Sequence, residues 1–282
     1  MASRNTNLHK AKDEKNDEFY TQFKDVEKEL INYKQHFKDK IVLCNCDDPT
    51  WSAFWKYFHL NFSELGLKKL ISTHYEREEA TYKKEYTGGD DNNIEVGVKT
   101  LLEGNGDFRN QECLDLLDEC DIVVTNPPFS EYRSYVATLI EHDKKFIIWS
   151  NNNSITYKEI FPLLKNNKMW LGYTANKTLT FCIPDYYEKW DEKETAKMND
   201  GHRYAKVPAI SVFTNLDTSK RHEKLILWKQ YTPEKYPKYD NYMAWNVNKV
   251  SEIFVDDFID IEIDEDDLDK YKQVYPDLEV LE

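Results

Sequence analysis

Asn126-Pro127-Pro128-Phe129 ends the apolar run Ile122-Val123-Val124-Thr125. Neither proline has an N–H, and both fix the backbone, so the carbonyls of Asn126 and Pro127 are expected to point outward rather than into a strand ladder. An amide oxygen beside a fixed carbonyl offers two acceptors to one NH₂ group, and Phe129 adds a flat apolar face. Two acceptors and a stacking plate suit an exocyclic amine on a planar heterocycle. Asn-Pro is also an ordinary turn signal, so a proline-terminated strand with a capping amide reads equally well from these four residues alone.

Helices and strands must place this tetrapeptide. Phe23, Val26, Leu30, Tyr33 and Phe37 step at helical spacing, as do Trp51, Phe54, Trp55, Phe58 and Phe62. Short apolar runs at 40–46, 67–75, 121–126 and 144–150 predict buried strands. Helices are expected over 111–120, 131–142 and 156–167, the last kinked by Pro162, and a hairpin around Gly88-Gly89. Strands alternating with helices imply parallel pairing in an open doubly wound sheet, which binds ligands at its carboxyl edge. After residue 168, four closely spaced strand-like runs suggest antiparallel pairs. The expectation is an α/β fold with a mixed, mostly parallel sheet and antiparallel strands in the C-terminal half.

The 282 residues fit one large domain, taken as 1–250, with an acidic appendage at 251–282. No apolar run approaches the ~20 residues of a membrane span, and the polar N-terminus lacks a signal-peptide core, so a cytoplasmic location is expected. Five scattered cysteines, with Cys44 and Cys46 too close for the usual zinc pair, suggest reduced thiols and no metal. Net charge is −14, which argues against a generic nucleic-acid binder. The charge is uneven: residues 252–269 hold ten acids and no Lys or Arg. Basic clusters remain at Arg4 to Lys15, Lys68-Lys69, Lys83-Lys84, Lys144-Lys145 and Lys220-Arg221.

The tetrapeptide resembles the [DNS]-P-P-[YFW] motif of S-adenosylmethionine-dependent amino-methyltransferases. The ordered set "LHKAKDEKNDEFYTQFKDVEKEL", "IVLCNCDDP", "GLKKLI", "DIVVTNPPFS", "KKFIIWSNNNSITYKEIF", "WLGY" and "FTNL" resembles the EcoRI-type adenine-specific DNA methyltransferase family, a similarity that covers about residues 7 to 250. The resemblance implies a Rossmann-like methyltransferase fold and transfer of a methyl group from S-adenosylmethionine to N6 of a flipped-out adenine in duplex DNA. It implies restriction-modification, or protection of phage or host DNA. A partner nuclease would form no stable complex, and a monomer is expected. Asn126, Pro127 and Phe129 would be catalytic.

For the cofactor, the resemblance points to Tyr20 and Thr21 at the methionine end and to the loop after the first strand. No glycine lies between Cys44 and Pro49, where a glycine-rich loop is usual. Asn45, Asp47 and Asp48 would hold the amino group instead. Glu76 is the nearest acid for the ribose, with His74 and Tyr75 as alternatives for lining the pocket. "GNGDF" would place Asp107 at the cofactor's adenine N6 and Phe108 on its ring; a glycine turn before a helix cap fits the same spacing. Residues 185–205, with Lys189, Trp190, Lys193, Lys197, His202 and Arg203, are the candidate DNA-facing insertion, or a solvated loop. Methylation of RNA adenine or of protein glutamine, or a non-catalytic binding relic of the fold, are the competing readings.

Overall fold

Alternating apolar residues along each central strand separate into two cores, one on either face of a single sheet. On one face Val42, Cys44, Leu70, Val124, Ile147 and Trp149 meet Val26, Leu30, Phe54, Trp55 and Phe58. On the other, Ile41, Leu43, Ile71, Val123, Phe146 and Ile148 meet Leu116, Leu117, Tyr135, Val136 and Leu139. This is a helix–sheet–helix sandwich, an arrangement that hides both faces of parallel strands. It is seen in a computed structural model that describes residues 20–76, 81–183, 195–197 and 203–223.

The strands are β1 Tyr20–Thr21, β2 Ile41–Cys44, β3 Lys69–Thr73, β4 Tyr82–Tyr86, β5 Val98–Leu101, β6 Ile122–Thr125, β7 Lys145–Asn151, β8 Trp170–Leu171, β9 Lys177–Ile183, β10 Thr195–Lys197 and β11 Arg203–Thr214. They form one mixed sheet in the order β1-β9-β11-β7-β6-β2-β3-β4-β5, with β8 and β10 pairing to β11. The strands β3, β2, β6 and β7 run parallel. β4 pairs antiparallel with β3 and β5, and β11 pairs antiparallel with β7 and β9. The helices are α1 Phe23–Leu30, α2 Ala53–Leu60, α3 Phe62–Leu65, α4 Gln111–Glu119, α5 Tyr132–Glu141 and α6 Phe161–Lys165.

Local chemistry moves some expected boundaries. Trp51 precedes α2 and is 56% exposed, because Ser52 caps that helix by accepting from the Trp55 N–H at 2.9 Å. Pro162 lies in the first turn of α6 rather than kinking a longer helix. Its missing N–H falls in the first turn, where no intrahelical partner exists. Within 185–205, Thr195–Lys197 pairs with Arg203–Ala205, so those residues are strand rather than loop. The expected strand at 223–231, apart from Glu223, lies outside the described residues. So do the boundary at 250 and the acidic segment 251–282.

Helix α1 is fixed by a buried carboxylate. Glu29 Oε1 accepts from the Tyr33 hydroxyl at 2.8 Å and the Tyr173 N–H at 2.9 Å, and Oε2 accepts from the Thr174 N–H at 2.5 Å. A side chain at Gly172 would place its Cβ 2.3 Å from Glu29 Oε1, so that close approach requires glycine. No described helix is long and apolar enough to cross a membrane.

Candidate active site

β2 leads by way of α2 and α3 to β3 on one side, while β6 lies on its other side. Where neighbouring connections diverge in this way, a crevice opens at the carboxyl ends of the strands. The residues after β2, after β3 and after β6 meet there. Tyr20, Cys46, Asp47, Asp48, His74, Tyr75 and Asn126 line one cleft there.

The loop after β2 has no glycine, and Cys46 takes the left-handed conformation in its place, with φ at 59°. Such a conformation costs a non-glycine residue on the order of 1 kcal/mol and persists only where the surroundings fix it. The fixing contacts are specific. Ser72 Oγ donates to the carbonyls of Cys44 and Asp47, both at 3.0 Å. The Thr125 hydroxyl donates to the Asn45 carbonyl, and the Tyr135 hydroxyl donates to Asn45 Oδ1. Asn45 is therefore a buried strut that ties the β2 loop to β6 and α5.

The two acids are anchored differently. Asp47 is buried and accepts from the Ser52 hydroxyl, which couples it to the cap of α2. Asp48 Oδ1 accepts from the Thr50 N–H at 2.9 Å, the Thr50 hydroxyl at 2.7 Å and the Tyr82 hydroxyl at 2.8 Å. Burial first, and the hydrogen bond to Asp48 second, push the Tyr82 phenol well above its ordinary range, so it stays a donor. Asp48 Oδ2 lies 3.7 Å from His74 Nε2.

His74 and Tyr75, rather than Glu76, reach the cleft wall. Glu76 sits behind, 3.4 Å from His74 Nε2, and its N–H donates to the Asn105 carbonyl at 2.8 Å. Gly106, with φ at +77°, lets the 104–108 segment pass over His74: a Cβ there would stand 2.0 Å from the His74 carbonyl oxygen. Asp107 is gripped by Arg109, at 2.8 Å from Nε and 2.6 Å from a terminal guanidinium nitrogen. Burial alone would raise its carboxyl, but the hydrogen bonds from Arg109 outweigh this and hold it below the usual carboxylate range. Arg109 also reaches Glu131 at 3.4 Å, which links this segment to the start of α5. Phe108 is buried edge-on against Tyr135, with ring centroids 5.0 Å apart, as part of the core.

Asn126 joins the cleft from the β6 side. Pro128 accepts from the Glu131 N–H at 2.9 Å, closing the turn into α5. The Pro127 carbonyl accepts no hydrogen bond from the described residues. Phe129 is partly buried against the α1–α2 core. Tyr20 arrives on β1, with its ring 6.5 Å from that of Trp51. The Thr21 hydroxyl beside it is buried with no partner among the described residues.

Of the residues expected from the sequence, the cleft brings together Tyr20, Asp47, Asp48 and Asn126. Asn45 and Thr21 stand behind its wall, and Glu76, Asp107 and Phe108 lie beyond it. Cys46 carries no local pattern beyond that of a reduced thiol, because its place in the cleft comes from backbone conformation. Lys197 and Arg203 are in paired strands, whereas Lys189, Trp190, Lys193 and His202 lie outside the described residues. No group of three metal-ligating side chains occurs among the described residues.

Tyr135 is 1% exposed, so Tyr135→Phe leaves the ring in place and removes only its hydrogen bond to Asn45. It is expected to cost about 1–2 kcal/mol, lowering Tm by roughly 3–6 °C in calorimetry. An unchanged Tm would show that the strut carries no weight.

The family model described as adenine-specific methyltransferase EcoRI matches residues 7–277. The similarity therefore runs on past residue 250, through the acidic segment, and is longer than the motifs alone indicated. The chain is 46% identical over 273 residues to the type II methyltransferase M.EcoRI of Escherichia coli, covering 91% of this chain and 83% of that protein. It is 39% identical over 255 residues to the type II methyltransferase M.MpnI of Mycoplasma pneumoniae, covering 89% and 78%. A third relative, the type II methyltransferase M.MgeORF184P of Mycoplasma genitalium, is 38% identical over 254 residues. No solved structure matches the chain.

Proposed function

Because the chain belongs to the EcoRI family of adenine-specific methyltransferases, we propose that it methylates N6 of one adenine within a specific duplex DNA sequence, as the modifying half of a restriction-modification system. The mixed sheet is read as the Rossmann-like methyltransferase arrangement, with β9 and β11 as its antiparallel continuation. The carrying observation is that Asn126 and the anchored acids Asp47 and Asp48 face one cleft.

The cleft suits S-adenosylmethionine. Asp47 and Asp48 offer carboxylate to an ammonium group, and Tyr20 offers an aromatic wall to a cation. When bound, the cofactor supplies an electrophilic methyl group on a sulfonium. The residues of this chain do the rest by position and electrostatics. Adenine N6 is a weak nucleophile because its lone pair is delocalised into the ring. Asn126 Oδ1 and the Pro127 carbonyl accept its two hydrogens, which favours a pyramidal nitrogen with a free lone pair. The same oxygens stabilise the positive charge that grows on N6 during transfer. Phe129 offers a face to the extruded base, a contact worth on the order of 1–3 kcal/mol.

The test is transfer of a labelled methyl group from S-adenosylmethionine to duplex DNA, single-stranded RNA and a glutamine-containing peptide. Label recovered as 6-methyladenine from duplex DNA is the expected result. Label appearing only in RNA or peptide would replace the substrate, and no transfer to any acceptor would remove the enzyme reading.

A further inference from the structure

The electrostatics of this chain set a problem for the function above. A protein with net charge −14 approaches a polyanion, so attraction must come from particular places rather than from the whole surface. Most described arginines are committed elsewhere. Arg109 is bound to Asp107 and Glu131, and Arg221 to Asp217. Arg203 also has partners. Arg133 differs: it is exposed and pairs with no acid among the described residues.

Its placement is as specific as its lack of a counter-charge. Arg133 is in the first turn of α5, seven residues after Asn126, and the Glu131 N–H to Pro128 carbonyl bond keeps that connection tight. Its guanidinium carbon lies 5.1 Å from the centre of the Tyr157 ring. Tyr157 closes the turn that follows β7, and β7 is the parallel neighbour of β6. The Tyr157 backbone is held on both sides: its N–H donates to the Ser154 carbonyl at 3.0 Å, and its carbonyl accepts from Ile160 and Phe161 at 3.0 and 2.8 Å. The ring is also packed, partly buried, against the core on the α4–α5 face, so it forms a platform, and Arg133 lies on the rim made by the carboxyl ends of β6 and β7. It is not among the residues lining the cofactor cleft.

A guanidinium laid on an aromatic face keeps its planar fork of donors directed outward, the geometry that matches a phosphate's two oxygens. Stacking removes much of the side-chain freedom that a phosphate contact would otherwise have to freeze. We propose that Arg133, held by Tyr157, clamps a backbone phosphate of the DNA strand beside the adenine to be methylated. The clamp rests on the DNA reading given above. It locates the strand so that the extruded base meets Asn126, while the chemistry stays with Asn126 and Pro127.

The test compares wild type, Arg133→Gln and Arg133→Lys in DNA binding and methylation across a salt series. Duplexes carrying a single neutral methylphosphonate at each phosphate flanking the target adenine extend the comparison. Arg133→Gln is expected to raise KM for DNA about tenfold, more than it lowers kcat, with cofactor affinity retained. The slope of log affinity against log salt should become shallower by about 0.9, the loss of one phosphate contact. Arg133→Lys should recover the slope. One methylphosphonate position should weaken wild type and leave the Gln variant no weaker than before.

A Gln variant with the wild-type slope and the wild-type response to every methylphosphonate would overturn the clamp. So would a fall in Tm with the slope unaltered, which would assign Arg133 to packing on Tyr157. Wild-type transfer in the same series separates the two claims. If wild type leaves duplex adenine unmethylated, the function fails; if it methylates and only the Gln comparison is flat, the clamp alone fails.

Discussion

Asn126→Ala is expected to slow methyl transfer by about 10²–10³-fold while S-adenosylmethionine affinity stays within a few-fold of wild type. On the proposed mechanism the substitution removes one of the two acceptors for the reacting amine, and it leaves β6, Pro127 and the anchored acids in place. An interaction that strengthens only as charge develops on N6 appears in kcat rather than in binding. Single-turnover transfer with labelled cofactor, beside calorimetric titration of the cofactor, separates the two. Asn126→Asp keeps an oxygen acceptor and should retain more activity than the alanine variant. Wild-type turnover by Asn126→Ala would remove the assignment, and parallel loss of cofactor binding would make Asn126 a wall of the cleft rather than the acceptor.

Gly106→Ala is expected to be the most damaging single-atom change near the site. The new Cβ would stand 2.0 Å from the His74 carbonyl oxygen and 2.7 Å from Thr81 Cγ2, at a φ of +77°. A backbone oxygen cannot swing aside as a flexible side chain can. Either the 104–108 segment lifts or the end of β3 moves, and His74 and Tyr75 move with it. The expected cost is about 3–5 kcal/mol, or roughly 6–15 °C in Tm, with weakened cofactor binding. Gly89→Ala is the control. Its φ is +128°, but nothing lies within 4 Å of its Cβ. It should therefore show backbone strain alone, on the order of 1–3 kcal/mol, with cofactor binding intact. Equal effects from the two variants would show that conformation rather than crowding dominates at Gly106.

The parallel strands were legible in the chain because each is a short apolar run whose alternate residues feed two cores, as Ile41 and Leu43 do on one face and Val42 and Cys44 on the other. Asn126, Asp47 and Asp48 were legible because they follow strand ends, where an open sheet exposes its ligands. What was not legible depends on contacts between distant segments. Cys46 adopts a glycine-like conformation only because Ser72, Thr125 and Tyr135 hold the loop around it. The choice of His74 and Tyr75 over Glu76 depends on how the 104–108 segment crosses the end of β3. Phe108 carries the same aromatic signal whether it stacks on a ligand or packs in a core, and its burial against Tyr135 is set by α5, far along the chain. In the sequence Glu29 is one acid among many, and only its three donors reveal that it bolts down α1.

Tyr20 reaches the cleft on β1, whose ladder partner is β9, so one wall of the pocket is held in place by Phe181 and Cys182. Sequence separations of this size make for high contact order, and the pocket should be among the last features to mature as the chain folds. A polypeptide halted before β9 would have Asn126 and both acids but no seat for Tyr20. Ligand would then engage only the finished protein, and by mass action would raise its midpoint against denaturant.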